Sequence, residues 1–146
     1  MIKPAHIEWS EGTPISTEFD DVYFSKASGI DETRYVFLQQ NQLQARWDQF
    51  ADDCFTIMET GFGTGLNFLC AVDLWQQSQP QFKNPNAQLH FVSVEKFPLI
   101  PDSLKQALSH WPEFEALSSE LIEQYPAIVA GWHVIKFSEF NVTLHL

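Results

Sequence analysis

Three glycines at every second position, Gly61, Gly63 and Gly65, lie in the stretch TIMETGFGTGLNFL between two apolar segments. Glycine adopts backbone angles that are closed to other residues, and it lets a ligand touch the main chain. The residues after Gly65 have the composition of a helix, whose N-terminus offers free N–H groups and a positive dipole end to an anionic group. The pattern therefore predicts a turn that holds a phosphate or a carboxylate against bare backbone.

The spacing of the glycines argues against two common phosphate-binding motifs. A dinucleotide fingerprint, G-x-G-x-x-G, needs a glycine where this chain has Leu66 or Phe68, depending on which glycine starts the count. A P-loop needs Lys and then Ser or Thr after its last glycine, and Leu-Asn stands there instead. What remains is an acidic residue, Glu59, followed by the pattern x-G-x-G-x-G.

The segments around the turn are typical of an α/β sheet. CFTIME predicts a short buried strand, Leu66 to Gln77 predicts a mostly buried helix, and LHFVSVE predicts a second buried strand of the kind found in parallel sheets. Strand, glycine turn, helix and strand form the opening of a Rossmann-like sheet, where ligands bind at the carboxyl ends of the strands. Glu95, which ends the second strand, falls at that edge.

Further elements are predicted on both sides of this unit. Before it, residues 1–50 predict a small β-rich lead-in layer, with a hairpin turn at Glu11 and Gly12, a strand in ETRYVFL, and a helix in NQLQARWDQF with Asn41 as its N-cap. After it, Asp102 is a candidate N-cap of a helix, residues 114–125 predict another, and HVIKF and VTLHL predict two joined strands. Residues 51–146 then form the first half of a Rossmann-like domain.

The segment from Glu59 to Gly65 resembles motif I of class I S-adenosylmethionine-dependent methyltransferases. Five blocks in order resemble the N-terminal methyltransferase domain of the bifunctional tRNA 5-methylaminomethyl-2-thiouridine biosynthesis (MnmC) family: KPAHIEW, FDDVYFS, ETRYVFL, ETGFGTGLNFL and SVEKFPL. The resemblance is strongest from Lys3 to Leu99 and loose after Ala127. It implies a class I methyltransferase fold.

The resemblance also implies a cofactor and a reaction. The family methylates the exposed amine of 5-aminomethyl-(2-thio)uridine at the tRNA wobble position with S-adenosylmethionine; an acid ending the second strand takes the ribose hydroxyls, a place that Glu95 fits. Glu59 would lie near the ammonium and sulfonium end. The cofactor-binding residues carried over are Glu59, Gly61, Gly63, Thr64, Gly65, Asn67 and Glu95. Asp20, Asp21 and Tyr23 are candidates to border the active site, and no catalytic residue is assigned.

The chain lacks several features that the family has. The family's later Gly-Asp pair and its LDGFAPAKNP-like loop have no counterpart here, and neither does its covalently linked FAD-dependent oxidoreductase domain. We therefore expect an incomplete methyltransferase domain that does not bind FAD and is inactive alone. A half-sheet would leave the strand TIME with an apolar face and an unpaired edge, so we also expect low stability or self-association.

Composition excludes several classes of function. A net charge of −11 without a cluster of Lys and Arg argues that tRNA is reached only through the complete protein. The five His lack metal-ligand spacing, which predicts no metal. Cys54 and Cys70 lie in apolar runs and predict two buried thiols of a reducing, cytoplasmic environment. No run approaches the roughly 18–20 apolar residues of a membrane helix.

Two other classes of function stay open. A non-catalytic protein-interaction module could retain the glycine turn for structure only, and an enzyme could use another nucleotide such as NAD. The missing sixth-position glycine argues against NAD. Single residues also have plainer interpretations: Glu95 as a solvated strand end paired with Lys96, and Asp20 and Asp21 as an ordinary turn.

Overall fold

Two separate sheets make up the β-structure of the computed structural model, which describes residues 2–25, 28–48 and 50–146. Met1, Lys26, Ala27 and Gln49 lie outside the described residues. The predictions made for these positions, in the lead-in layer and near the end of NQLQARWDQF, are therefore not tested. The first sheet lies in the lead-in. The second contains the strand that precedes the glycine turn.

The lead-in sheet is antiparallel, in the order β1-β2-β3. Its strands are β1 (Ile7–Ser10), β2 (Thr13–Ser16) and β3 (Asp21–Val22). Glu11 and Gly12 connect β1 and β2 with positive φ angles of 51° and 84°, as the tightest hairpin turns require. The predicted hairpin is therefore confirmed.

The prediction of a strand in ETRYVFL is wrong. This segment forms the end of helix α1 (Gly29–Thr33) and a π-helical stretch, Arg34–Gln39. Ile30 and Leu38 are buried in the core, and the ring of Phe37 lies 6.2 Å from that of Phe91 on the large sheet. The aromatic and β-branched residues suggested a strand, but β-propensity reflects the surface against which a segment packs, and here that surface is a helix and sheet.

The helix predicted in NQLQARWDQF is present as α2 (Leu43–Trp47), but its predicted N-cap is wrong. Gln42 precedes the helix in a left-handed conformation with φ of 54°. The side-chain amide of Asn41 instead donates to the carbonyl of Phe37, at 2.8 Å. Asn41 therefore closes the end of the preceding π-helical stretch, since the last carbonyls of a helix lack partners within it.

The large sheet has the strand order β4-β5-β7-β6, in which β4, β5 and β7 are parallel and β6 is antiparallel to β7. The strands are β4 (Cys54–Thr60), β5 (Gln88–Val94), β6 (Val134–Phe137) and β7 (Val142–His145). The helices between them are α3 (Leu66–Ser78), α4 (Pro101–Leu108) and α5 (Glu115–Gln124). Alternation of strand and helix with parallel pairing confirms the predicted α/β class.

Helix α4 begins differently from the prediction. Pro101 occupies its first turn after Ile100, so Asp102 is not the N-cap but a first-turn residue. Proline at this position needs no N–H partner, and a carboxylate in the first turn is favoured by the helix dipole. None of the helices in the described part of the chain is long and apolar enough to cross a membrane.

One face of the large sheet is buried in the core. Phe68 of α3 lies 5.3 Å from the rings of both Phe91 and Phe137, on β5 and β6. Trp47 and Trp75 are fully buried in the same core, with ring centroids 5.1 Å apart in an edge-to-face contact. Aromatic pairs of this geometry add to the stabilisation from buried area.

The opposite face is largely uncovered by the described residues. Strand pairing and burial place on it Cys54, Thr56, Met58, Thr60, Gln88, His90, Val92, Val94, Val134, Lys136, Thr143 and His145. We call this set the open face. None of these residues is acidic, although the chain has 19 Asp and Glu. Parallel sheets are normally covered on both faces, whereas the described residues cover mainly one face of this sheet.

Strand β4 lies at the edge of the sheet, and only one of its faces is buried. The prediction that CFTIME is buried is therefore wrong for its open-face residues. Met58 is 69% exposed and Cys54 is exposed, whereas Ile57 is buried. The prediction of two buried thiols therefore holds only for Cys70, whose burial raises the pKa of its thiol to about 12. The outer edge of β4 has no strand partner among the described residues.

We expect the 146-residue chain to self-associate through β4, because an exposed apolar edge strand pairs readily with another chain. The substitution Met58→Lys should shift the population towards monomer, since a charge at the centre of the edge opposes pairing. Val129→Lys is the matched control, because Val129 is 56% exposed outside the sheets. Sedimentation velocity over a concentration series measures the effect, and a wild-type chain that stays monomeric throughout contradicts the expectation.

Candidate cofactor-binding site

The glycine turn connects the end of β4 to the start of α3. Gly61, Gly63 and Gly65 have φ angles of 85°, 55° and 77°, in the left-handed region that favours glycine. The N–H of Gly61 donates to the carbonyl of Val94 at 2.8 Å, and that of Gly65 donates to the carbonyl of Phe62 at 2.8 Å. The turn is thus tied to the end of β5 and closed on itself before α3 begins.

The glycines differ in what a side chain would meet. At Gly61 a Cβ atom would have no neighbour within 4 Å, so its backbone is bare towards open space. At Gly65 a Cβ atom would lie 2.9 Å from Cζ of Phe62, closer than real Cβ contacts. Gly65 is therefore required by packing, whereas Gly61 leaves room for a ligand.

Glu95 bridges the glycine turn and the loop after β5. Its Oε2 accepts from the N–H of Gly63 and its Oε1 from the N–H of Phe97, both at 2.8 Å. Hydrogen bonds from backbone to an ionised carboxylate are among the stronger ones in proteins. Lys96 places its Nζ over the ring of Phe97, 4.9 Å from the centroid. Glu95 is thus held against the turn and is not simply a solvated strand end.

Glu59 is a buried carboxyl beneath the turn, only 9% exposed. Its Oε1 accepts from Ser93 Oγ at 2.9 Å and its Oε2 from Asn67 Nδ2 at 3.0 Å. Burial raises the pKa of Glu59 to about 7; the charge of Glu95 adds to this, and the two hydrogen bonds oppose it. Glu59 is therefore poised to change its charge near neutral pH.

A cavity of about 660 Å³ lies between the lead-in layer and the glycine turn. Of the residues predicted from the sequence, those that line it are Gly61, Gly63, Thr64, Asn67, Glu95, Asp21 and Tyr23. Tyr23 lies against the turn, with its Cδ1 3.4 Å from where a Cβ of Gly63 would be. Burial raises the pKa of the Tyr23 phenol, and the nearby Glu95 carboxylate adds to the shift.

Three predicted residues do not line this cavity. Glu59 lies below it and contacts it through Asn67, which is a lining residue. Gly65 is turned towards Phe62 in the core. Asp20 occupies the turn between β2 and β3 with a φ of 50° and is exposed. Asp20 is therefore placed as a turn residue, while its neighbour Asp21 faces the cavity.

Sequence reasoning missed part of the wall. Phe19 and Phe97 line the cavity, as do Glu32 of α1 and Val36 of the π-helical stretch. Phe19 and Phe97 lie inside two of the blocks that carry the family resemblance, which was the available signal. Glu32 and Val36 lie inside a third such block, ETRYVFL, but this block was predicted to be a strand and its residues were not assigned to the site. No group of three or more His, Cys, Asp or Glu arranged to hold a metal ion occurs among the described residues.

Comparison with solved structures identifies the class of fold. The crystal structure of MnmC2 from Aquifex aeolicus matches with a TM-score of 0.57 and 18% sequence identity, over 97% of this chain and 41% of that one. At this identity the match concerns the fold alone. The mixed α/β, Rossmann-like architecture preceded by a small antiparallel sheet is therefore confirmed.

Comparison with curated proteins finds relatives that share one name. The bifunctional tRNA 5-methylaminomethyl-2-thiouridine biosynthesis protein MnmC of Methylobacillus flagellatus is 51% identical over 142 residues, which is 97% of this chain and 21% of that protein. Its counterparts in Aeromonas hydrophila and Chromobacterium violaceum are 51% and 50% identical, also over 97% of this chain and 21% of each relative. No protein-family model matches the chain. The predicted resemblance to MnmC proteins is confirmed, and the chain spans about one fifth of the length of these relatives.

We predict that Gly65→Ala destabilises the chain more than Gly61→Ala. Both changes place a side chain in the left-handed region, which costs about 1–2 kcal/mol. Only the alanine at position 65 also meets Phe62, and overpacking of this kind adds roughly 1–3 kcal/mol. Urea unfolding of the two variants measures the difference, and equal midpoints contradict the assignment of Gly65 to packing.

The buried Glu59 carboxyl predicts a specific pH dependence of stability. Its pKa rises from an ordinary 4.5 to about 7 on folding. Below the ordinary value the carboxyl is protonated in both the folded and the unfolded chain, and it does not lower the free energy of unfolding. As the pH rises from the ordinary to the folded pKa, the unfolded chain ionises first, and the free energy of unfolding falls. Relative to wild type, Glu59→Gln should gain ~1–3 kcal/mol between about pH 4 and about pH 8.

Urea titrations at several pH values test this expectation. Glu123→Gln is the control, because it removes an exposed carboxyl from α5. If wild type and Glu59→Gln keep a constant difference in unfolding free energy across the range, the buried carboxyl does not titrate as described.

Proposed function

We propose that this chain binds S-adenosylmethionine in the cavity beside the glycine turn. In this proposal it forms the donor-binding part of an enzyme that methylates the aminomethyl group of 5-aminomethyl-(2-thio)uridine at the tRNA wobble position. The observation that carries the proposal is the conjunction of an open Gly61 backbone with the Glu95 carboxylate at one cavity wall. The name of the relatives at about 50% identity, a tRNA 5-methylaminomethyl-2-thiouridine biosynthesis protein, supports the reaction.

The residues present fit such a donor. Gly61 provides bare backbone with φ of 85° and free space where a side chain would be. Thr64 and Asn67 line the cavity at the start of α3, where the helix N-terminus favours a carboxylate such as that of a methionine end. Glu95 can accept hydrogen bonds from sugar hydroxyls through lone pairs that its two backbone contacts leave free.

The donor would supply a methyl group activated by a positively charged sulfur. The chain's own residues would position the donor and the acceptor amine and stabilise the positive charge of the donor. Glu59 fixes the amide of Asn67 from below and, when ionised, adds negative charge near a cationic ligand. Asp21 and Tyr23 face the same cavity and are the candidates to orient an acceptor amine, which reacts only when it is unprotonated.

The longer relatives have further functions, and we propose that these depend on parts of the protein outside this chain. The relatives are named as bifunctional, and this chain matches about one fifth of their length. We infer that an FAD-dependent oxidoreductase activity and most tRNA contacts belong to other parts of such a protein. The net charge of −11 supports this, because phosphate contacts require Lys and Arg. A tRNA-modifying role also fits a cytoplasmic location.

Calorimetric titration tests the donor assignment. S-adenosylhomocysteine should bind the folded chain, and NAD should not. Gly61→Ala should weaken S-adenosylhomocysteine about tenfold or more, because the new methyl group projects into the ligand space. Gly131→Ala is the matched control, since Gly131 also has a positive φ, 142°, and open surroundings, but lies outside the cavity lining.

Two results would count against the proposal. Binding of NAD but not S-adenosylhomocysteine would assign the turn to another nucleotide. No binding of either ligand to a folded sample would favour a protein-interaction module that keeps the turn for structure.

A further inference from the structure

One side of the helical segment formed by α1 and the π-helical stretch faces the cavity. The residues of this segment that line the cavity have the spacing of one helical side: Gly29, Glu32, Thr33, Val36 and Phe37. Asp31, the neighbour of Glu32, is exposed and is not a lining residue. Glu32 is therefore the charged residue that this helical side presents to the cavity.

The backbone that carries Glu32 is packed against the core. A Cβ atom on Gly29 would lie 3.2 Å from both Cβ of Phe24 and the ring of Trp111, so α1 approaches these residues closely. The N–H of Glu32 donates to the carbonyl of Ser28 at 2.8 Å. Its side chain, in contrast, is exposed. A fixed backbone with an exposed carboxylate beside a cavity suits contact with a ligand that enters from solvent.

Glu32 differs from the other two carboxylates that line the cavity. Glu95 accepts from two backbone N–H groups, and Asp21 Oδ1 accepts from the N–H of the next residue at 2.8 Å. Within the part of the chain that the structure describes, the salt bridge joins Arg34 to Asp73 at 3.4 Å and does not involve Glu32. The carboxylate of Glu32 is thus not engaged by the turns that fix the other two.

The charged residues in the described lining of the cavity are all acidic: Asp21, Glu32 and Glu95. None of the described lining residues is Lys, Arg or His. Such a lining attracts a cation and does not attract a neutral group of the same size. Under the proposed function two cationic groups meet in the cavity. One is the sulfur of the donor, and the other is the acceptor amine, which like the lysine amine is protonated at neutral pH.

The carboxylates divide between these two cations by their place in the fold. Glu95 is bound to the N–H of Gly63, and Glu59 is bound to the amide of Asn67, so both belong to the glycine turn where the donor is proposed to bind. Glu32 belongs to α1, a separate element of the cavity wall. The carboxylate of Glu32 is therefore available to the acceptor.

We propose that Glu32 binds the cationic amine of the acceptor and so selects a pyrimidine with an aminomethyl group over one with a neutral substituent. This proposal rests on the proposed function, because it takes the acceptor to enter the same cavity as the donor. Glu32 acts on recognition and is not the base. The amine has to release its proton to solvent before it can react.

The test compares two nucleosides of equal size and different charge, 5-aminomethyluridine and 5-hydroxymethyluridine. The 146-residue chain is saturated with S-adenosylhomocysteine, and each nucleoside is titrated into it with NMR chemical shifts as the measure of binding. Wild type should bind 5-aminomethyluridine about fivefold more tightly or better, as expected of a charged hydrogen bond at a partly exposed site. Glu32→Gln should remove this preference and leave the affinity for 5-hydroxymethyluridine unchanged.

Asp31→Asn is the matched control. It removes the same charge from the next residue of the same helix, which is exposed and outside the cavity lining. This variant should keep the preference of wild type for 5-aminomethyluridine. Salt should reduce that preference in wild type and have little effect on Glu32→Gln, because an exposed ion pair is screened. Urea midpoints check that both variants are folded.

The outcomes separate this proposal from the proposed function. If wild type binds S-adenosylhomocysteine and Glu32→Gln keeps the preference, Glu32 does not contact the amine, and only the present proposal is overturned. The same holds if Asp31→Asn loses the preference equally, or if wild type binds the two nucleosides equally or binds neither. If wild type does not bind S-adenosylhomocysteine, the proposed function fails and this proposal fails with it.

Discussion

Parallel pairing of β4 with β5 in a single register is the constraint on which the site depends. Glu59 lies opposite Ser93 and Thr60 opposite Val94, and the Gly61 N–H extends the ladder by one bond to Val94. A slip of one residue would turn every side chain of β4 to the other face. It would separate Glu59 from Ser93 and move the glycine turn away from Glu95. The buried face fixes the register, because Ile57 and Phe91 must both face the core.

This register brings two carboxylates with different environments to one end of the sheet. Glu95 accepts two backbone N–H groups and faces the cavity, whereas Glu59 is buried and bonded to Ser93 and Asn67. Burying a carboxylate is costly unless it is protonated or paired, which explains why the pKa of Glu59 is raised to about 7. A cationic ligand nearby would reverse that preference. Ionisation of Glu59 is therefore unfavourable when no cation is bound and becomes more favourable when one lies nearby.

The lead-in layer and the sheet share one hydrophobic core. Phe24 and Ile30 belong to the same buried cluster as Leu66 and Leu121, and the N–H of Ala5 donates to the carbonyl of Pro98 at 3.0 Å. The cavity lies at this junction, so its shape depends on both layers. The other side of the sheet is different: the open face has no acidic residue, while the chain as a whole carries −11.

The sequence by itself determined the glycine turn, the strands beside it, the helix after it and the acid at the end of β5. These features depend on local rules: glycine where φ is positive, apolar runs for buried strands, and a fixed spacing between them. It also indicated the hairpin at Glu11 and Gly12. Only the tertiary structure decided that ETRYVFL is helical, because packing against α3 and the sheet outweighs local propensity. Likewise, only folding brings Phe19 to Phe97 and Glu59 to Ser93, since contacts between distant segments leave no periodic signal in the chain.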